Sequence, residues 1–129
     1  MAIPNGAGGY QLGDGNLTEV NMSVQSAPVT KAAAATLTAA ELTNGIVIYS
    51  GATATLTLPT VADTEALVSS AKNNSSFDVN FINTGAGTLT IAVGTGWTLV
   101  GTVTSATLTS AAWRARKTSD TTWTLYRIA

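Results

Sequence analysis

From residue 46 to the C-terminus, short runs alternate a polar residue, most often threonine, with Leu, Ile, Val or an aromatic, and Gly, Pro or Asn breaks them. A period of two puts successive side chains on opposite faces of a pleated strand, so such a chain can build sheets with one buried face. Threonine fills about one position in six, and its branched Cβ suits half-exposed strands. The pattern predicts strands over 46–49, 53–58, 77–81, 88–93, 97–100, 103–109, 112–117 and 122–128. In the second, Leu56 and Leu58 face inward and Thr55 and Thr57 outward, and Pro59 ends it because proline cannot donate to a ladder. Phe77, Val79 and Phe81 alternate with Asp78 and Asn80. Leu89, Ile91 and Val93 are expected on one face, between turns at Gly85-Ala86-Gly87 and Gly94-Thr95-Gly96.

Two helix starts interrupt the strands. Thr38 and Glu41 have capping-box spacing, with a stop at Asn44-Gly45, which gives a single turn. Thr60 and Asp63 open the one substantial helix, over 61–72, expected to bury Val61, Leu67 and Val68. These elements predict a mainly β fold: an antiparallel β-sandwich or jelly-roll-like body with one inserted α-helix and an extended N-terminal arm. Apolar residues make up 45% of the chain but aromatics only 6%, so the bulk of the core should come from Trp97, Trp113, Trp123, Phe77 and Phe81. A chain of 129 residues is one domain in size and can bury enough surface to need no disulfide staple.

The first thirty residues differ in composition. Gly6, Gly8, Gly9, Gly13 and Gly15 lie close together, and glycine loses the most backbone entropy on ordering. Ile3, Tyr10, Leu12, Leu17 and Val20 are spaced through the same stretch as apolar anchors, unlike an ordinary solvated linker. Residues 1–30 therefore read as an extended arm that orders against something else, and residues 31–129 as the body. The alternative is a terminal strand of the body itself.

The chain contains no His and no Cys, and only 10% of its residues are charged. No serine or threonine can have a histidine base, and a serine–lysine arrangement would need Lys31, Lys72 or Lys117 buried beside it. The Gly-x-Gly pieces lack the Lys-Ser/Thr of a phosphate loop. Asp63 and Glu65 suit a helix first turn, and no carboxylates have calcium-loop spacing. No catalytic residue, metal or cofactor is expected. A net charge of −1 gives no reason to expect nucleic acid or an anionic membrane as partner, and no secretory leader or membrane-spanning run is expected.

The C-terminal hairpin supplies the remaining candidate surface. With Ser119-Asp120 at its tip, Arg116 falls opposite Trp123, Arg114 opposite Leu125, and Trp113 opposite Tyr126. Arg114, Arg116, Trp123 and Arg127 then form a basic, aromatic face suited to an acidic partner, with guanidinium stacked on indole. The bland alternative is a solvated face.

The opening run from Ile3 to Asn16 resembles the N-terminal arm of small tailed-bacteriophage head proteins. Residues 37–42, Thr57-Leu58-Pro59-Thr60, the run from Phe81 to Ile91, and Trp123-Thr124-Leu125-Tyr126-Arg127 fit the same pattern. Together they resemble phage capsid decoration (cement) proteins. The resemblance implies a non-catalytic virion protein with a β-rich body, often a homotrimer. Such a protein is assembled in the host cytoplasm and bound to the major capsid protein on the outer capsid surface, with an arm that crosses subunit boundaries. A tail or fibre-associated protein, or a carbohydrate-binding module using exposed Trp97 or Trp123, is the alternative.

Overall fold

The computed structural model describes residues 22–129. The anchors Ile3, Tyr10, Leu12, Leu17 and Val20 lie outside the described residues. Among the described residues ten strands form in chain order: β1 (Val29–Lys31), β2 (Ala35–Thr36), β3 (Ile46–Tyr49), β4 (Ala54–Thr57), β5 (Ser76–Asn83), β6 (Leu89–Ala92), β7 (Trp97–Val100), β8 (Thr104–Ser105), β9 (Thr109–Ser119) and β10 (Thr122–Arg127). Helix α1 (Ala39–Thr43) lies between β2 and β3, and α2 (Val61–Leu67) between β4 and β5. The expected arm–body boundary at residue 30 falls inside β1.

The chain is mainly β, with two mixed sheets. One has six strands in the order β1-β3-β5-β9-β10-β7, and the other four in the order β2-β4-β6-β8. The expectation of antiparallel pairing is overturned, because five of the eight ladders are parallel. Strands β1 to β6 alternate between the sheets, so the chain winds as a short coil. β1, β3 and β5 stack in parallel on one side, and β2, β4 and β6 on the other. The long β9 then runs antiparallel to β5 and turns back into β10.

The two corners of the coil are made differently. Where the chain crosses from the six-stranded to the four-stranded sheet, small residues stack. A Cβ on Gly51 would overlap the Ala32 carbonyl, and one on Gly85 would overlap the Gly51 carbonyl. Backbone bonds continue the ladder through this corner, from Ser50 N to Lys31 O (2.9 Å) and from Thr84 N to Tyr49 O (2.8 Å). The buried Asn83 side chain closes it: Nδ2 donates to Gly87 O, Ser105 O and Ala106 O, and Oδ1 accepts from Gly85 N. At the other corner α1 and α2 contact each other. Thr38 and Glu41 form the full capping box of α1, and Thr60 Oγ1 accepts from Asp63 N in α2.

α2 is shorter than expected. It ends at Leu67 and buries Val61 and Thr64, whereas Leu67 is 52% exposed and Val68 only half-buried. Val93, expected inside with Leu89 and Ile91, lies beyond the end of β6 and is largely exposed. Only Thr104–Ser105 of the expected 103–109 strand pairs as β8, and 109 already belongs to β9.

One apolar core lies between the sheets, joining Val47, Tyr49, Val79, Phe81, Trp113, Trp123 and Leu125 to Leu37, Leu56, Leu58, Leu89 and Ile91. Register makes the packing complementary: Phe81 lies opposite Ala111, Phe77 opposite Ala115 and Val79 opposite Trp113, so large side chains meet small ones. Of the five aromatics expected to fill it, Trp97, Trp113, Trp123 and Phe81 are buried and Phe77 packs on its edge. Tyr49 was not anticipated there; its hydroxyl is accommodated by donating to Ala52 O (2.6 Å).

Candidate partner-contact face

The outer face of the six-stranded sheet carries the side chains that alternate with the core set. Its central strands present Asp78, Asn80 and Ile82 from β5, Ala112, Arg114 and Arg116 from β9, and Thr124 and Tyr126 from β10. Half-buried Ile46 and Ile48 of β3 continue it on one side, and Thr98 and Val100 of β7 on the other. Register sets Asp78 beside Arg114 and Arg114 beside Tyr126.

Two arginines occupy this face in different states. Arg114 Nε donates to Asp78 Oδ1 at 2.8 Å in an exposed pair, and the Asp78 carboxylate raises the guanidinium pKa above its ordinary value. Arg116 has no carboxylate partner among the described residues. Its Nε and Nη2 both donate to Tyr126 Oη (3.0 and 2.8 Å), its Nη1 donates to Asn74 Oδ1 (2.8 Å), and its Cζ lies 5.6 Å from the Tyr126 ring centroid. A guanidinium offers five N–H donors. Three are engaged, and two remain for a ligand on a side chain already held in place.

The hairpin register differs from the expected one. Its tip is Asp120-Thr121, and a bulge lies between Thr122 and Trp123. Trp123 is therefore opposite Lys117, Leu125 opposite Ala115, and Tyr126 opposite Arg114. A one-residue slip exchanges the faces of a strand. Arg114 and Arg116 stay on the outer face, Tyr126 replaces Trp123 as their aromatic neighbour, and Trp123 moves into the core at 1% exposure. Arg127 also lies on the other side. Its Nη1 donates to Thr102 O and Thr104 O, and its Cζ sits 6.0 Å from the Trp113 ring centroid, so it ties the β7–β8 connection to the C-terminal strand. Of the four residues expected to share a contact face, the fold brings together two.

Behind this face lies a polar cluster that sequence reasoning missed. Lys117 projects inward from β9 and is 5% exposed. Its Nζ lies 2.9 Å from Glu65 Oε1 of α2 and donates to Ala71 O at 3.0 Å, with Asp120 at 3.6 Å. Trp123 Nε1 donates to the same Glu65 oxygen at 2.8 Å. Burial raises the Glu65 carboxyl, but the bonds from Lys117 and Trp123 outweigh it and hold the pKa below its ordinary value. The bond to Glu65 raises Lys117 despite its burial. The one available signal was the strict alternation Trp113, Ala115, Lys117, which puts a lysine on an otherwise apolar face. Lys117 is the buried lysine that a serine–lysine centre would need, but its partner is a carboxylate.

Among the described residues no three His, Cys, Asp or Glu side chains are grouped as a metal site, and no helix is long and apolar enough to cross a membrane. Trp97 (6% exposed) and Trp123 are both buried, and Trp97 Nε1 donates to Pro59 O. Neither offers a ring for a sugar to stack on. No family model matches the chain, and neither a curated protein nor a solved structure shows significant similarity to it.

Proposed function

We propose that this is a non-catalytic structural virion protein that binds the outside of a phage capsid, contacts the major capsid protein, and stabilises the shell as a trimeric decoration protein. In this reading the two packed sheets are a β-sandwich body, and the residues ahead of β1 are the arm that engages the shell. The observation that carries the reading is the outer sheet face, where Ile46, Ile48, Ile82 and Ala112 form an aliphatic stretch and, further along the same face, Tyr126 holds Arg116 with two unused donors. Protein–protein contact surfaces are enriched in such aliphatic, Tyr and Arg side chains. The resemblance of the opening run supplies the shell as partner. Several weak contacts, from arm and face on each of three copies, would add in avidity and brace subunit boundaries without one strong site.

The test is co-sedimentation of the purified protein with empty shells of the phage that encodes it. Wild type should pellet with shells and raise their resistance to heat. Deleting residues 2–16 should abolish or greatly weaken pelleting while the body keeps its circular dichroism spectrum and melting transition. Unchanged binding by the deletion would remove the arm from the proposal, and no binding by wild type would remove the shell.

A further inference from the structure

Residues 22–28 precede β1 without regular structure and are exposed. Among the described residues, two side-chain hydrogen bonds hold this segment to the body, and both involve Asn44. Asn44 Nδ2 donates to Ala27 O at 3.0 Å, and Gln25 Nε2 donates to Asn44 O at 2.8 Å. Asn44 is the C-cap of α1, and Gly45 follows it at φ +96°, a conformation that favours glycine. Gly45 O is held by Asn80 N at 2.7 Å, whereas Gly45 N has no hydrogen-bond partner among the described residues. Asn44 is also half-exposed, and among the described residues it alone of the asparagines precedes a glycine. Asn73, Asn74, Asn80 and Asn83 each precede a residue whose side chain shields the main-chain nitrogen beside it.

We propose that Asn44 is a site of spontaneous deamidation, and that its conversion releases the arm at its root. The Gly45 main-chain nitrogen attacks Asn44 Cγ, the Cγ–Nδ2 bond breaks, and ammonia leaves with the Gly45 amide proton, closing a succinimide ring. Water then opens the ring at either carbonyl to leave aspartate or isoaspartate, so one water is consumed and one ammonia released. Asparagine is thermolabile for this reason, and a following glycine leaves the attacking nitrogen unshielded. Both products lose the Nδ2 donor. A carboxylate only accepts, so it would face Ala27 O acceptor to acceptor, at the carbonyl end of α1 where negative charge is unfavourable. Isoaspartate also lengthens the main chain by one methylene just ahead of β3, which shifts Asn44 O away from Gln25. The inference rests on reading the leading residues as an arm, but it is tested without a shell.

Peptide mapping of the full chain by mass spectrometry, after warm incubation at mildly alkaline pH, tests the site. The peptide that holds Asn44 should shift by the mass difference between an amide and an acid and split chromatographically into isoaspartate and aspartate forms. Asn80 and Asn83 should keep their amides. Limited proteolysis tests the release. Cleavage within residues 22–28 should run roughly two- to tenfold faster in Asn44→Asp than in wild type, the effect of one or two lost hydrogen bonds on a local opening. Circular dichroism checks that the body stays folded. Gln25→Ala removes the second bond without chemistry at Asn44 and should accelerate the same cleavage. An Asn44 that keeps its amide while a free peptide of residues 42–47 loses it would overturn the site. Conversion of Asn44 with unchanged cleavage in both variants would overturn the release.

Discussion

Gly85→Ala isolates the physics of the coil. Gly85 is buried at the stacked corner, and an added Cβ would overlap Gly51 O while lying 2.9 Å from Gly51 N and 3.0 Å from Gly51 C. All three obstacles are backbone, so no rotamer change relieves them, and the two layers of the coil must separate. Overpacking of this kind costs about 1–3 kcal/mol. Separation also loosens the bonds from Thr84 N and Thr84 Oγ1 to Tyr49 O (2.8 and 3.1 Å) and from Thr107 Oγ1 to Gly85 O, each worth about 0.5–1.5 kcal/mol. The expected loss is about 3–5 kcal/mol, a large share of the roughly 5–15 kcal/mol that holds a typical domain. At about 4–8 °C per kcal/mol for a body of this size, the melting temperature should fall by at least about 12 °C. Urea and thermal unfolding followed by circular dichroism measure it, with Ala86→Ser, exposed on the same turn, as the control that should stay near wild type. A Gly85→Ala chain within about 0.5 kcal/mol of wild type would show that the layers do not stack as described.

Four further outcomes follow from the same structure. Asn83→Asp should destabilise the body more than Asn83→Ala at neutral pH, because an acceptor-only carboxylate would face three carbonyls, and the difference should shrink on acidification in equilibrium unfolding. Trp123→Phe should cost about 1–2 kcal/mol more than Trp113→Phe in the same measurement, since Trp123 loses its bond to the Glu65 carboxylate whereas Trp113 Nε1 is buried without a partner among the described residues. Glu65 has a folded pKa below its ordinary value of 4.5, so the stability it contributes is present above pH 4.5 and is lost as pH falls through the folded value; the acid limb of a melting-temperature profile should flatten in Glu65→Gln. Lys117 is raised above 10.5, so its contribution is complete below that pH and is lost as pH rises through the folded value, an alkaline limb that should be absent in Lys117→Met.

Much of the strand layout was legible because it is local. Ile46–Tyr49 and Trp97–Val100 have the expected bounds, and Thr38 and Glu41 form their capping box since both partners lie within one helical turn. The end of α2 was not legible. Leu67 and Val68 read as the continuing apolar stripe of a helix to residue 72, but the chain beyond Leu67 turns so that Ala71 O can receive Lys117. For the contact face, the alternation from Arg114 to Lys117 was readable, whereas the bulge at Thr122/Trp123 was not, and that bulge decides whether Trp123 or Tyr126 accompanies the arginines.

The sequence by itself determined that the chain forms short one-sided strands, where glycine and proline break them, and that it lacks histidine and cysteine chemistry. Period-two alternation is the same in parallel and antiparallel strands, so it could not decide how the strands pair. That depended on where the chain returns after each corner. Parallel strands are usually covered by crossover helices on both faces, but here stacked Gly51 and Gly85 on one side and α1 with α2 on the other carry the crossovers at the sheet edges. The parallel strands therefore keep one wet face and look antiparallel in sequence. Only the tertiary structure brought Glu65, Lys117 and Trp123 together, across 52 and 58 residues of chain, because a buried ion pair is specified by the closing of two distant elements and not by any local pattern.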